Sequence, residues 1–197
     1  MKIHDISQEI FSCEVYPGDP KPKREVLASI DGGDLYNLTA FYMCAHNGTH
    51  VDAPSHFLKD GASVDELSLS STVGFAFVVE HEGIVSRDDA EAILKKARLT
   101  NEEAAKRILI KGRATVSDEA AEIFAAARLL LLGNESQTVG DENAPMKTHK
   151  ALLGAGTVLL EGIRLSAIRE GVYLLATQPI NLGGADGAPC RAILIEL

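Results

Sequence analysis

The sequence predicts an α/β fold, a single domain over residues 1–197 built on a mixed β-sheet. Three observations carry this expectation. Short apolar runs of strand length recur along the chain, and two longer stretches between them have the 3.6-residue period of a half-buried helix. Near the N-terminus two β-rich segments flank Asp31-Gly32-Gly33-Asp34, the order of an antiparallel hairpin. No repeat, low-complexity tract or linker divides the 197 residues, and one sizeable core can be buried at that length. About eight strands, two clear helices and one or two short ones are expected, without the doubly wound order of a nucleotide-binding sheet.

Taken in order, Lys2 to Ser7 reads as an opening strand, and Tyr16-Pro17-Gly18-Asp19-Pro20 as a turn-rich segment. Arg24 to Ile30 and Leu35 to Cys44 are the two arms of the hairpin. After Phe57 come a loop at Lys59-Asp60-Gly61 and a helical turn near Val64 to Leu67. Gly74 to Glu80 is short and strongly apolar, a buried strand. Ser86 is placed to cap a helix with Asp89 three residues on, and Ala90, Ile93, Leu94 and Ala97 form its buried stripe. Lys106 to Lys111 is a strand. Ser117, followed by Asp118 and Glu119, opens a second helix whose stripe is Ala120, Ile123, Phe124 and Ala127.

Leu129 to Leu132 reads as a strand ending at Gly133-Asn134, and Asn134 to Pro145 as a polar loop. Lys147 to Leu153 is helical and carries His149. Thr157 to Leu160 is a strand that ends at Glu161. Val172 to Ala176 and Arg191 to Glu196 are the last strands, with a glycine-rich loop, Asn181 to Pro189, between them.

Composition excludes several classes of function. The net charge of −9 repels nucleic-acid phosphates and anionic membrane surfaces. No apolar run approaches the ~18 residues of a membrane span, and Met1-Lys2-Ile3-His4-Asp5 lacks the apolar region of a secretory signal. A cytoplasmic protein acting on a small molecule is expected. Cys13, Cys44 and Cys190 are odd in number and widely spaced, so they form no disulfide framework. Cys44, two residues before His46, is a conceivable thiolate ligand, although a small buried apolar role is the commoner one.

The chemistry concentrates between Cys44 and Phe57. Three of the six histidines and one aspartate fall in eleven residues, His46 to His56, spaced His-x3-His-x-Asp-x3-His. Imidazole and carboxylate together suit a divalent ion such as zinc or manganese. Gly48 and Pro54 break any continuous helix, so an extended chain turning at both brings the ligands to one centre. His50 and Asp52, two apart, share a face in a local strand. Serine chemistry is disfavoured, since there is no Gly-x-Ser-x-Gly elbow.

His46-Asn47-Gly48-Thr49-His50-Val51-Asp52-Ala53-Pro54-Ser55-His56-Phe57 resembles the HxGTHxDxPxH signature of the cyclase-like metal-dependent hydrolases, which include bacterial kynurenine formamidases and isatin hydrolases. The similarity reaches Tyr16-Pro17-Gly18-Asp19 and the stretch Gly184 to Ala192, so it covers nearly the whole chain. It implies the swivelling β/β/α architecture. It implies His46, His50 and Asp52 as the first metal ligands and His56 as the catalytic acid/base. His149 and Glu161 match the positions that complete a two-metal site, with Asp52 and Glu161 bridging. Read alone, Glu161 is equally an exposed strand-end charge, and His149 a solvent-facing helix residue.

The resemblance further implies a homo-oligomer, dimer or tetramer, in which the N-terminal segment can reach a neighbour's pocket. Two departures bear on the substrate. Tyr16 stands where the formamidase pattern has tryptophan, and Glu135 and Gln137 are expected to put polar groups near the metal. The activity implied is hydrolysis of a small amide by metal-activated water, with His56 moving protons and Glu161 assisting by orienting it. Ring opening of a lactam or lactone, or a cyclase reaction, uses the same chemistry. A non-catalytic zinc-binding module is the contrasting reading.

Overall fold

The computed structural model describes all 197 residues. Thirteen strands run in the order β1 (Lys2–Asp5), β2 (Lys23–Ala28), β3 (Leu38–Tyr42), β4 (His50–Asp52), β5 (Val73–Glu80), β6 (Gly83–Val85), β7 (Arg107–Lys111), β8 (Ala114–Val116), β9 (Leu131–Asn134), β10 (Val158–Glu161), β11 (Gly171–Ala176), β12 (Gly187–Pro189) and β13 (Ile193–Glu196). The helices are α1 (Leu69–Thr72), α2 (Arg87–Thr100), α3 (Asp118–Ala126) and α4 (Met146–Gly154). None is long and apolar enough to cross a membrane.

Nine strands form one mixed sheet, ordered β1-β13-β11-β5-β7-β9-β10-β4-β12. The central β5, β7, β9 and β10 are parallel, and antiparallel strands flank them on both sides. Parallel neighbours need crossovers, which α2, α3 and α4 provide. These helices cover one face. Their stripes, Ala90, Ile93, Leu94 and Ala97 on α2 and Ala120 and Phe124 on α3, pack with Phe77, Val79, Ile108, Ile110, Leu132 and Leu159 of the sheet. The alternate residues Ala76, Val78, Leu109, Leu131 and Leu160 enter a second core with Val51 and Leu194. Val51 and Leu194 belong to strands near opposite ends of the sheet, so the sheet curls round this second core.

The Ser86 hydroxyl and the Asp89 carboxylate form the expected capping box on α2, an arrangement typically worth about 1 kcal/mol. Ser117 caps α3. Ile123 and Ala127, expected in the stripe of α3, are only partly buried against the core.

Three strands that the sequence does not announce, β6, β8 and β12, have three residues each. That is too short for any period to register. β12 lies inside the stretch expected to be loop and exists through its pairing with β4. β9 starts and ends two residues later than expected and runs through Gly133 instead of turning there. A Cβ at Gly133 would meet Leu109 Cδ2 at 2.7 Å, so this glycine serves close packing, not a turn. The β2–β3 hairpin forms as expected but stands as a separate two-stranded sheet, with Val26, Leu35, Tyr36 and Phe41 exposed.

Candidate active site

The site is built around β4, which lies between β10 and β12. Pairing with β10 sets Glu161 opposite His50, and pairing with β12 sets Gly187 opposite Asp52. The chain enters β4 through a turn in which Gly48 has φ +65°, a conformation that favours glycine. It leaves through a 3₁₀ turn, Pro54–His56, which lifts His56 out of the strand. The two expected turns are therefore present, and His50 and Asp52 share a strand. Helix α4 adds His149 from the other side.

These pieces bring His46, His50, Asp52, His149 and Glu161 together. His50, Asp52, His149 and Glu161 are almost wholly buried; of three groups of possible ligands, the two deeper ones, His46/His50/Asp52 and Asp52/His149/Glu161, share Asp52, and a more exposed one, His46/His56/Asp186, adjoins them through His46. His50 Nε2 is 3.3 Å from Asp52 Oδ1 and 3.4 Å from Glu161 Oε2. His149 Nε2 is 3.3 Å from Glu161 Oε1 and 3.7 Å from Asp52 Oδ2. These separations exceed ordinary hydrogen bonds. They match the edge of a tetrahedron with bonds of about 2.0–2.2 Å, which is roughly 3.4 Å. Asp52 Oδ2 is buried with no hydrogen-bond partner. The residues present therefore fit a divalent ion.

Outer contacts orient the ligands. The His50 Nδ1 and Gly48 carbonyl are 3.0 Å apart, and the His149 Nδ1 and Pro145 carbonyl 2.8 Å. Each Nδ1–H donates to its carbonyl, which leaves Nε2 with a lone pair for a metal. The Val139 N–H donates to Glu161 Oε1 at 2.7 Å. Gly187 must lack a side chain, since a Cβ there would lie 2.6 Å from His46 Cε1 and 2.8 Å from the Val51 carbonyl.

Burial disfavours the charged form of each of these histidines, but nearby carboxylates outweigh it. His50 is pushed up to about 10 by Asp52 and Glu161. His46 is raised by Asp52 and Asp186, and His149 by Glu161 and Asp52. Asp52 is held well below the usual carboxylate range by His46 and His50, against its burial. A raised histidine pKa contributes stability that is full below about 6.5 and is lost, for His50, as pH rises through about 10. The metal-free site accordingly holds protons at neutral pH that an ion must displace. Zinc loading at pH 7 is expected to release at least one proton, and affinity to rise with pH. Calorimetry in two buffers of different ionisation enthalpy measures the count; a count of zero contradicts this electrostatic account.

His56 is not in the buried cluster. Its side chain is 28% exposed, and its ring stacks on His46 at 4.0 Å between centroids. Its orientation corrects one expectation. Asp186, not Glu161, is its partner: Asp186 Oδ2 lies 3.0 Å from His56 Nδ1 and 2.9 Å from His46 Nε2. The sequence signals Asp186 only as a carboxylate inside the glycine-rich run Gly183-Gly184-Ala185-Asp186-Gly187, and its role as a site residue comes from the fold. Cys44 lies outside all three ligand groups, with Sγ 3.8 Å from Asp19 Oδ2.

A cavity of about 250 Å³ opens above the cluster, lined by Tyr16, Asp19, Cys44, Phe57, Gln137, Thr138 and Pro145 besides the histidines and Glu161. The Tyr16 hydroxyl donates to the Glu142 carbonyl at 2.6 Å. Gln137 is at the cavity, as expected. Glu135 is not: its carboxylate accepts from the Gly112 and Leu165 N–H groups and fastens the loop from behind.

A curled α/β sheet with a buried His/Asp/Glu cluster at the floor of a small cavity defines a metal-dependent hydrolase. The chain belongs to the cyclase family, whose model, described as "Putative cyclase", matches residues 4–117. A kynurenine formamidase of Erythrobacter litoralis is 31% identical over the whole chain and 94% of its own length. A solved structure described as a predicted metal-dependent hydrolase from Bacillus stearothermophilus superposes with a TM-score of 0.80 at 25% identity, covering 98% of this chain and 97% of that one. Isatin hydrolase A of Labrenzia aggregata shares the fold, with a TM-score of 0.80 at 19% identity over 98% of this chain and 93% of its own.

Proposed function

We propose that this chain, as a single domain over residues 1–197, hydrolyses the amide C–N bond of a small N-acyl aromatic amine, as an arylformamidase does. The observation that carries the reading is Asp52, shared by two ligand groups directly beneath a cavity that His56 borders. His46, His50, Asp52, His149 and Glu161 would hold one or two divalent ions, zinc or manganese. Such an ion lowers the pKa of water towards ~7 and polarises a carbonyl oxygen.

The protein's own groups supply the rest. With Nδ1–H donated to Asp186, His56 is fixed in the tautomer whose Nε2 is free to accept a proton. His56 takes that proton from the attacking water and returns it to the leaving nitrogen as the C–N bond breaks, giving a carboxylic acid and an amine. Phe57 packs edge-on to His56 at 4.5 Å and lies 4.6 Å from His149, which limits the rotation of both rings. Glu161, held by the Val139 N–H, would position the water. Tyr16 would bind the substrate's ring by its face, its hydroxyl being engaged by Glu142.

The same reading takes the protein as cytoplasmic and as a homo-oligomer, a dimer or tetramer. The exposed apolar residues of the β2–β3 hairpin support assembly, since an isolated hairpin is marginally stable in water. Elemental analysis combined with turnover of N-formyl aromatic amines and cyclic amides tests the function. Stoichiometric metal is expected, with activity lost on chelation and restored by zinc or manganese. Bound metal without turnover of any substrate would instead indicate a metal-binding module.

A further inference from the structure

We propose that the hydrogen bond from the Tyr16 hydroxyl to the Glu142 carbonyl is a latch. It joins two loosely held stretches beside the active-site cavity and thereby restricts the cavity to substrates with a single aromatic ring. The inference rests on the hydrolase reading above and adds what sets the size of the substrate.

The latch is read first from how little else holds the two stretches. Residues 141–144 are exposed. Their other hydrogen bonds are internal: the Asn143 N–H donates to Asp141 Oδ1 at 2.8 Å and the Ala144 N–H to the Asp141 carbonyl at 3.1 Å. The Tyr16 hydroxyl, 2.6 Å from the Glu142 carbonyl, is the one group from elsewhere in the chain that bonds to them. Residues 16–22 are tied as lightly. The Asp19 N–H donates back to the Tyr16 carbonyl at 3.0 Å, and Cys44 Sγ makes a long contact with Asp19 Oδ2 at 3.8 Å. Exposed segments with few bonds to the body open at low cost.

The flanking residues, by contrast, are fixed. The Val139 N–H donates to Glu161 Oε1, and the Val139 carbonyl accepts from the Val116 N–H at 2.8 Å. Beyond residue 144, the Pro145 carbonyl is held by His149 Nδ1, and the Thr148 hydroxyl donates to Asp118 Oδ1 at 3.0 Å. Ahead of Tyr16, the Glu14 N–H donates to Gln8 Oε1 at 2.8 Å and the Glu14 carboxylate pairs with Arg164 at 3.1 Å. Opening the latch would therefore free the two stretches and leave the metal ligands in place.

Both stretches border the cavity. Tyr16 and Asp19 line it from one, and Pro145 lines it at the end of the other. Movement of either stretch outward widens the space. With the latch made, the cavity is about 250 Å³, at the small end for ligand sites, and suits one ring with its acyl group.

Tyr16→Phe keeps the ring and removes only the hydroxyl, so it tests the latch in the metal-loaded full-length protein. Hydrogen–deuterium exchange is expected to quicken about fivefold in residues 16–22 and 141–144, the worth of one neutral hydrogen bond, and to stay unchanged in β4 and β10. The second readout is the ratio of kcat/KM for formanilide to that for N-formylnaphthylamine. The wild type should prefer formanilide by about tenfold or more, since even one misfitting methylene costs that much in a closed pocket. Tyr16→Phe should shrink this preference by about fivefold. Unchanged exchange in both stretches overturns the latch. Faster exchange with an unchanged substrate ratio overturns its role in size selection, as does an equal loss on both substrates. A wild type indifferent to ring number overturns that role without any variant. If neither formamide is cleaved, the hydrolase reading fails, and the exchange comparison, which needs no turnover, still decides the latch.

Discussion

Asp52→Asn is expected to remove the metal and to lower kcat/KM by at least about 10⁴-fold, the nucleophile that an ion makes available at neutral pH being lost with it. The argument is that Asp52, almost wholly buried, is the residue that joins the group with His46 and His50 to the group with His149 and Glu161. Oδ1 lies 2.8 Å from His46 Nδ1 and 3.3 Å from His50 Nε2, while Oδ2 faces His149 and has no hydrogen-bond partner. The carboxamide is the same size, so the fold should survive, but one oxygen becomes an NH₂ that cannot ligate a cation. Metal content by elemental analysis and steady-state kinetics measure the two effects together. Stoichiometric metal with activity within tenfold of the wild type would place the centre elsewhere.

His56→Ala is expected to keep the metal and the fold and to lose about 10²–10⁴-fold in kcat, the usual contribution of a general acid/base. His56 is outside both groups that contain Asp52, sharing a group only with His46 and Asp186, and it borders the cavity with its side chain 28% exposed. Its Nδ1 is taken by Asp186. Asp186→Asn should therefore act in the same direction but more weakly, by about 10- to 100-fold, as loss of an orienting partner does. If His56→Ala releases the metal, His56 is a ligand, and the proton-transfer role passes to Glu161.

The site was legible in the sequence to the extent that its ligands are local. His46, His50, Asp52 and His56 lie in eleven residues, and the glycine and proline between them dictate two turns. The helices on the sheet were legible for a similar reason. Ser86 with Asp89, and the stripe from Ala90 to Ala97, are patterns spelled out within one turn or three. The three-residue strands β6, β8 and β12 were not, because a strand so short is defined by its neighbours and not by its own alternation.

The sequence by itself determined the chemistry available, namely imidazoles and a carboxylate at spacings that a strand between two turns can converge, and the mixed α/β character of the fold. Tertiary structure alone decided which distant groups join them. Glu161 faces His50 because β10 pairs with β4 in that register, and an exposed strand-end charge thereby becomes a buried one. His149 is buried because α4 packs against α3 and against β10 inside the sheet. Asp186 reaches His56, 130 residues away, because β12 adds to the other edge of β4. Such pairings depend on hydrogen-bond register between segments far apart in the chain. A one-residue slip would turn every side chain to the opposite face, and no local pattern encodes against that.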